Sequence, residues 1–127
     1  MLAFHEIIVG LGSNLPDNCN EKIEEALEWL RKVGWITGDS GTYETSPWNQ
    51  KGGHDYSNRV VRLTTCMPLE QLVRQSKRFE VEMGRTLWSR QQGIVPIDVD
   101  IVKYDSQILK PEELERDYFK IGYSKIN

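Results

Sequence analysis

The sequence has few of the features of a membrane or secreted protein. Its longest apolar runs, such as Ile7-Ile8-Val9, fall far short of the roughly 18–20 residues that a helix needs to span a bilayer, and no basic segment leads into a long apolar one near its start. It has only two cysteines, Cys19 and Cys66, which lie far apart and form no C-x-x-C pair. We therefore expect a cytoplasmic protein, with no membrane partner, whose reduced thiols pack as ordinary side chains.

Histidine and excess positive charge are also scarce. The two histidines, His5 and His54, are isolated, and together with the cysteines they do not form a zinc-binding pattern. The 16 lysines and arginines are outnumbered by 19 aspartates and glutamates, for a formal charge of -3. That sign is wrong for holding a nucleic-acid backbone, so any bound polyanion should be small or carried with metal ions.

Glycine-rich phosphate-binding motifs are missing as well. There is no G-x-x-x-x-G-K-[ST] sequence, and the pair Gly10 and Gly12 lacks the third glycine of G-x-G-x-x-G because Leu15 stands in its place. A bound nucleotide would therefore have to be held by side chains and metal ions.

What is present fits one ordinary globular domain over residues 1–127, with 39% hydrophobic and 28% charged residues. Periodicity and turn residues predict strands near Phe4–Leu11, Trp35–Thr45 (bent or bulged), Tyr56–Thr65, Pro96–Tyr104 and Gln107–Leu109, and helices near Glu21–Val33, Leu69–Met83 and from Pro111. Long loops are predicted at Ser46–Asp55 and Arg85–Val95. The order strand, helix, strand, strand, helix, strand predicts a ferredoxin-like α+β fold: an antiparallel sheet with both main helices on one face and a short C-terminal extension.

Asp98 and Asp100 are the first candidates for chemistry. At i and i+2 on a predicted strand, their side chains leave the same face about 7 Å apart, while Val99 points the other way. Two carboxylates at this spacing can bind Mg²⁺ together with substrate phosphates. Two ordinary acids on a solvated strand face are an equally good interpretation of this stretch alone.

Both long loops carry further candidates. Arg85 and Arg90 precede the aspartates and suit bidentate phosphate contacts, although surface arginines are common. Around the first loop stand rings, an amide and a hydroxyl of the kind that hold a planar heterocycle, on Thr45, Trp48, Tyr56 and Asn58. Aromatic residues are more often part of a core, so neither group identifies a site by itself.

Taken together, the motifs resemble a known family. They are Gly12-Ser13-Asn14-Leu15, Tyr43-x-Thr45-x-Pro47, Asp55-Tyr56-x-Asn58, Glu80 followed by Gly84-Arg85, and Asp98-x-Asp100-Ile101, and they occur in order from about Ile7 to Tyr104. The resemblance is to the 6-hydroxymethyl-7,8-dihydropterin pyrophosphokinases of folate biosynthesis. It implies a ferredoxin-like fold and the transfer of the terminal two phosphates of ATP, as one unit, to the hydroxymethyl group of the pterin with two Mg²⁺ ions.

The resemblance also implies residue roles. Asp98 and Asp100 would bind the two Mg²⁺ ions and, with Arg85 and Arg90, form the catalytic set. The pterin pocket would include Thr45, Trp48, Tyr56 and Asn58, where Trp48 stands at a position that is usually aliphatic. Glu80, Arg85, Ile101 and Tyr118 would contact ATP.

Several positions depart from the family pattern. Val95 replaces an arginine that contacts phosphate, Gln92 replaces a stacking tryptophan, and Leu87 and Gln91 stand where further loop arginines are frequent. In the C-terminal portion only Tyr118 is clearly kept, and the usual final helix region is missing. Two functions therefore stay open: a Mg²⁺-dependent pyrophosphokinase with weakened activity, and a non-catalytic or repurposed relative that binds a pterin or nucleotide. An RNA-binding module is less well supported, because the charge is acidic.

Overall fold

An antiparallel sheet of six strands forms the centre of the computed structural model, which describes residues 3–46 and 55–126. The strands are β1 (His5–Ser13), β2 (Trp35–Asp39), β3 (Tyr43–Thr45), β4 (Tyr56–Thr65), β5 (Asp98–Tyr104) and β6 (Gln107–Ile108). The helices are α1 (Cys19–Val33), α2 (Leu69–Glu82), α3 (Leu87–Gln91), α4 (Pro111–Leu114) and α5 (Asp117–Ile126). The strands lie in the order β2-β4-β1-β5-β6, and β3 also pairs with β4. The predicted α+β fold with an antiparallel sheet is confirmed.

Helices α1 and α2 pack on the same face of the sheet, as predicted. Leu27 and Leu30 of α1 and Leu72 of α2 are fully buried in one cluster with Val9 of β1 and Val61 of β4. The apolar residues of α1 recur at helical spacing and those of the strands alternate, so each element has one apolar side. None of the helices in the described ranges is long and apolar enough to cross a bilayer.

The opposite face of the sheet is covered by α5. Phe119 and Ile126 are buried against Ile8, Val60 and Val102, which are the outward residues of β1, β4 and β5. The predicted helical segment from Pro111 forms two helices, of which the second, over residues 117–126, has ten residues. The apolar residues of this segment recur every three to four positions, and a sheet face with alternating apolar residues was available to bury them.

Gly122 allows this helix to approach the sheet closely. A Cβ atom at this position would lie 2.5 Å from Val60 Cγ2 and 2.6 Å from the hydroxyl of Tyr43. That hydroxyl is itself fixed, because it donates to the carbonyl of Tyr118 at 2.6 Å.

Gly122→Ala should therefore lower the free energy of unfolding by about 1–3 kcal/mol, because the extra methyl group forces α5 away from the sheet. Urea unfolding followed by circular dichroism measures this difference. Ser124→Ala, at an exposed position of the same helix, is the matched control and should change the value by less than about 0.5 kcal/mol. Equal stability of the Gly122→Ala variant and the natural protein would contradict the close packing of α5.

Two predicted segments differ in detail. Residues 35–45 were expected to form one bent or bulged strand and do contain a register shift between Ile36 and Gly38, after which Gly41 at φ 75° separates β2 from β3. Residues 85–95 were expected to be an irregular loop but contain α3, which begins in a capping box formed by Thr86 and Ser89. This segment has few apolar residues and therefore shows no helical periodicity, so only the capping pattern could have predicted α3.

Candidate functional site

A cavity lies on the α5 face of the sheet, and two glycines of the central strand form its floor. In register, Gly12 pairs with Asn58 of β4 on one side and with Asp98 of β5 on the other. Two residues earlier in β1, and on the same face of the sheet, Gly10 pairs with Asp100. Because glycine has no side chain, the side chains of the flanking strands enclose an open space above β1.

The first strand was predicted near Phe4–Leu11, whereas β1 continues through Gly12 to Ser13. A Cβ at Gly10 would lie 3.2 Å from the ring of Phe119, and one at Gly12 would lie 3.7 Å from Asn58 Oδ1. The spacing G-x-G inside a strand places both glycines on one face, which is the signal that could have predicted the floor of a cavity.

Asp98 and Asp100 line this cavity and each contacts one cation. Arg85 Nη1 lies 3.3 Å from Asp98 Oδ1, and the ammonium of Lys110 donates a hydrogen bond to Asp100 Oδ1. The side chain of Asp98 is 36% exposed and that of Asp100 is 16% exposed. The two carboxylates therefore lie in a partly enclosed cavity, and the solvated-face interpretation does not describe their surroundings.

The cavity disfavours the charged forms of both carboxyl groups. Burial, followed by the charge of Glu80, raises the pKa of Asp98. Burial, followed by the charge of Asp98, raises the pKa of Asp100 to about 6, although Lys110 acts in the opposite direction. A divalent cation between the two groups would relieve both effects, because it replaces lost solvation and offsets the mutual repulsion.

The donor set fits Mg²⁺. No cluster of three or more histidine, cysteine, aspartate or glutamate side chains suited to a metal occurs in the part of the chain that the structure describes. Asp98 and Asp100 thus supply two carboxylates, and the other ligands would be water and substrate oxygens. Mg²⁺ keeps several waters and is commonly bound in this way, whereas protein zinc sites are built mainly from cysteine and histidine ligands.

The predicted heterocycle residues form the wall on the other side of the glycine floor. Asn58 is 5% exposed, and its Nδ2 donates to Thr45 Oγ1 at 2.7 Å. The ring of Tyr56 lies beside them, and its pKa is raised by burial and then by the charge of Asp98. Thr45, Tyr56 and Asn58 therefore come together as predicted, whereas Trp48 lies outside the described residues.

Glu80 and Arg85 form a support beneath β5. Glu80 is almost fully buried, and its Oε2 accepts a hydrogen bond of 2.8 Å from the backbone N–H of Val99. Its Oε1 lies 3.2 Å from Arg85 Nη1, the same atom that reaches Asp98. Glu80 thus positions both the strand of the aspartates and the arginine beside them. Arg85 contacts Asp98 from the neighbouring depression and does not itself line the cavity.

Of the remaining predicted site residues, one lines the cavity and two lie elsewhere. Tyr118 lines the cavity, where its hydroxyl donates to Glu113 Oε2 at 2.6 Å. The side chain of Ile101 is 4% exposed and packs in the core on the other face of the sheet. Arg90 lies on α3 in a shallow depression beside Arg85, outside the cavity lining. The structure therefore brings Tyr118 to the aspartates but not Ile101 or Arg90.

Asn14 fixes the segment that leads to the aspartates. Its Nδ2 donates to the carbonyl of Gly93 at 2.8 Å, its Oδ1 accepts from the N–H of Val95 at 2.6 Å, and its own N–H donates to the carbonyl of Val95 at 3.0 Å. Val95 is thus held by its backbone beside the end of β1 that is nearest to Asp98. Sequence reasoning noted the motif around Asn14 but assigned this residue no role.

Lys110 and Glu113 were missed. Both enter the site because β6 turns the chain back, which brings the start of α4 beside β5. No local pattern marks either residue, since lysine and glutamate are ordinary near the start of a helix.

Comparisons with known proteins agree with one another. Residues 8–127 match the family model described as 7,8-dihydro-6-hydroxymethylpterin-pyrophosphokinase. A 2-amino-4-hydroxy-6-hydroxymethyldihydropteridine pyrophosphokinase of Porphyromonas gingivalis is 29% identical over 134 residues, which cover 94% of this chain and 89% of the relative. A protein of the same description from Aquifex aeolicus is 28% identical, over 89% of this chain and 74% of the relative. A mitochondrial folate synthesis bifunctional protein of Pisum sativum is 38% identical over 78% of this chain, which spans only 19% of that relative.

Proposed function

Since the chain belongs to the 7,8-dihydro-6-hydroxymethylpterin-pyrophosphokinase family, we propose that it transfers pyrophosphate from ATP to 6-hydroxymethyl-7,8-dihydropterin in a Mg²⁺-dependent reaction. In this reaction the hydroxymethyl oxygen of the pterin forms a bond to the β-phosphorus of ATP. The bond from that phosphorus to the oxygen bridging the α and β positions breaks, AMP leaves, and the hydroxyl proton passes to solvent.

The observation that carries the proposal is the shared register of Asn58, Gly12 and Asp98. Two strand spacings, roughly 10 Å, separate the amide from the carboxylate, and glycine leaves the space between them open. A flat bicyclic ring held at Asn58 can therefore direct a one-carbon substituent toward Asp98, where the metal and the phosphates would be bound.

In this proposal the two sides of the cavity bind different parts of the substrates. The amide of Asn58 and the hydroxyl of Thr45 are the polar groups that would pair with the edge of the pterin, and the ring of Tyr56 lies beside them. Asp98 and Asp100 would hold Mg²⁺, which when bound supplies charge stabilisation to the phosphates. Arg85, held in place by Glu80, would add a positive charge on the same side.

The test is to follow AMP release from ATP by the purified protein with 6-hydroxymethyl-7,8-dihydropterin and Mg²⁺. We expect one AMP for each pterin pyrophosphate formed, and no release without the pterin or with an excess of EDTA. Binding of pterin or nucleotide without AMP release would instead support the non-catalytic relative, for which the uncharged Val95 is the specific observation.

Asn58→Ala should weaken pterin binding by roughly 1–3 kcal/mol, because a polar group of the ligand is then buried without a partner. Fluorescence titration with the pterin measures the affinity, and ATP affinity should change little. Asn18→Ala is the matched control, since the side chain of Asn18 makes no capping hydrogen bond at the start of α1. An unchanged pterin affinity in the Asn58→Ala variant would contradict this assignment of the pocket.

A further inference from the structure

Asp98 and Asp100 differ in how firmly their cations are held. Arg85 Nη1 contacts two acids at once, at 3.3 Å from Asp98 and 3.2 Å from the buried Glu80. Within the described residues, the ammonium of Lys110 makes one ion pair, with Asp100. Arg85 is therefore fixed between an aspartate and a second partner, whereas the ammonium of Lys110 is held by the aspartate alone.

The backbone of Lys110 is anchored, while its side chain has room to move. Its N–H donates to the carbonyl of Val102 in β5 at 3.3 Å, and its carbonyl accepts from the N–H of Glu113 at 3.1 Å. The side chain is 35% exposed. A four-carbon stem on a fixed backbone lets the ammonium exchange partners over several ångströms without any change in the fold.

From this geometry, we propose that Lys110 is a phosphate-binding residue whose ammonium stays paired with Asp100 until a divalent cation binds that carboxylate. In the metal-free protein its ammonium neutralises that carboxylate, and when a divalent cation binds the carboxylate, the same ammonium binds the polyphosphate of the nucleotide. The proposal rests on the proposed function, because it takes Asp100 as a metal ligand and ATP as the ligand.

Competition for one carboxylate is the physical basis. Lys110 and a divalent cation both require Asp100, so binding of the metal must displace the ammonium or share the carboxylate with it. A released ammonium near bound phosphates forms charge-assisted hydrogen bonds with them. Val95 supplies no charge at the end of the second loop. Among the described residues that line the cavity the one cation is Arg59, which is already paired with Asp39 and Glu24. Lys110 reaches the cavity through its contact with Asp100 and can exchange that partner for a phosphate.

Glu113 is the other acid that could receive the released ammonium. It lies three residues further along the chain, but one of its oxygens already accepts the hydroxyl of Tyr118 at 2.6 Å. If Glu113 became the partner, Lys110 would contribute nothing to nucleotide binding. The experiment therefore measures metal binding and nucleotide binding separately.

The test compares Lys110→Met, which keeps the length of the side chain and removes its charge, with Lys110→Arg, which keeps the charge. Mn²⁺ binding without nucleotide is followed by electron paramagnetic resonance of the free ion, and ATP binding in saturating Mg²⁺ by calorimetry without pterin. We expect Lys110→Met to bind Mn²⁺ about fivefold more tightly, because a competing cation is gone. It should bind ATP with Mg²⁺ at least about tenfold more weakly, and Lys110→Arg should restore ATP binding to within about threefold of the natural protein.

Opposite changes in the two affinities distinguish this role from a structural one, since a lysine that only supports Asp100 would weaken both together when removed. Lys120→Met, at an exposed lysine of α5 that lies 3.9 Å from Glu115, is the control and should change neither affinity. Unchanged ATP binding in Lys110→Met, a parallel loss of both affinities, or no Mn²⁺ binding in any variant would each overturn the proposal. Neither titration requires turnover, so a natural protein that releases no AMP but shows the opposite changes would contradict the proposed function and retain this inference.

Discussion

Replacing Asp98 with alanine should abolish Mg²⁺-dependent binding of ATP. We expect at least about a hundredfold loss of affinity, because loss of even an outer-shell partner of a metal ligand costs up to about that much. Asp98 and Asp100 lie on one face of β5, whereas Glu113, the third acid of the cavity lining, accepts a hydrogen bond from the hydroxyl of Tyr118. Glu113 is therefore not positioned on the strand to replace Asp98. Calorimetric titration with ATP, in the presence of Mg²⁺ and then with EDTA, measures the metal-dependent part of the affinity directly.

Stability should not fall with this substitution. Burial and the charge of Glu80 raise the pKa of Asp98, which means that the charged carboxylate is less favourable in the folded than in the unfolded protein. Asp98→Ala should therefore leave the free energy of unfolding unchanged to within about 1 kcal/mol. Asp17→Ala, at an exposed turn position, is the control. Unchanged ATP affinity in the folded Asp98→Ala protein would contradict the metal role.

The second large effect concerns Val95, where the family resemblance implies an arginine that contacts phosphate. A missing donor of this kind typically costs about 10²–10³ in rate, so turnover of the natural protein should be at least about a hundredfold below that of a family member with arginine at this position. Val95→Arg should recover at least about tenfold of this loss. The backbone of Val95 is held by Asn14 and does not depend on the side chain, so an arginine can be introduced without rebuilding the loop.

The Val95→Gln variant is the control that distinguishes the effect of side-chain charge from the effect of side-chain length. It lengthens the side chain without adding a cation and should leave turnover unchanged in the AMP-release assay. If the natural protein already reaches the rates of arginine-containing relatives, the prediction is wrong and another cation fills the gap. Arg90 would then be the first arginine to substitute, although it lies outside the cavity lining. If the natural protein and Val95→Arg are both inactive, the non-catalytic alternative becomes the better one.

Much of the fold could be predicted because it depends on short-range periodicity. The alternation at Ile97, Val99 and Ile101 buries one side of β5 and sends Asp98 and Asp100 to the other, whatever lies opposite. The helical spacing of Leu27 and Leu30 likewise specifies the buried side of α1. The short helix α3 and the docking of α5 were not predicted, since each depends on a surface that other parts of the chain provide.

The sequence by itself determined the order of the elements and the common face of the two aspartates, because a strand repeats every two residues and a helix every 3.6. Only the tertiary structure decided which residues meet across the sheet. The register of three strands brings Asn58 and Asp98 to either side of Gly12, and the turn after β5 brings Lys110 back to Asp100. Pairing register and chain reversal are set by the packing of the whole domain, so Asn58 and Asp98, 40 positions apart, flank the same glycine for reasons that no local pattern contains.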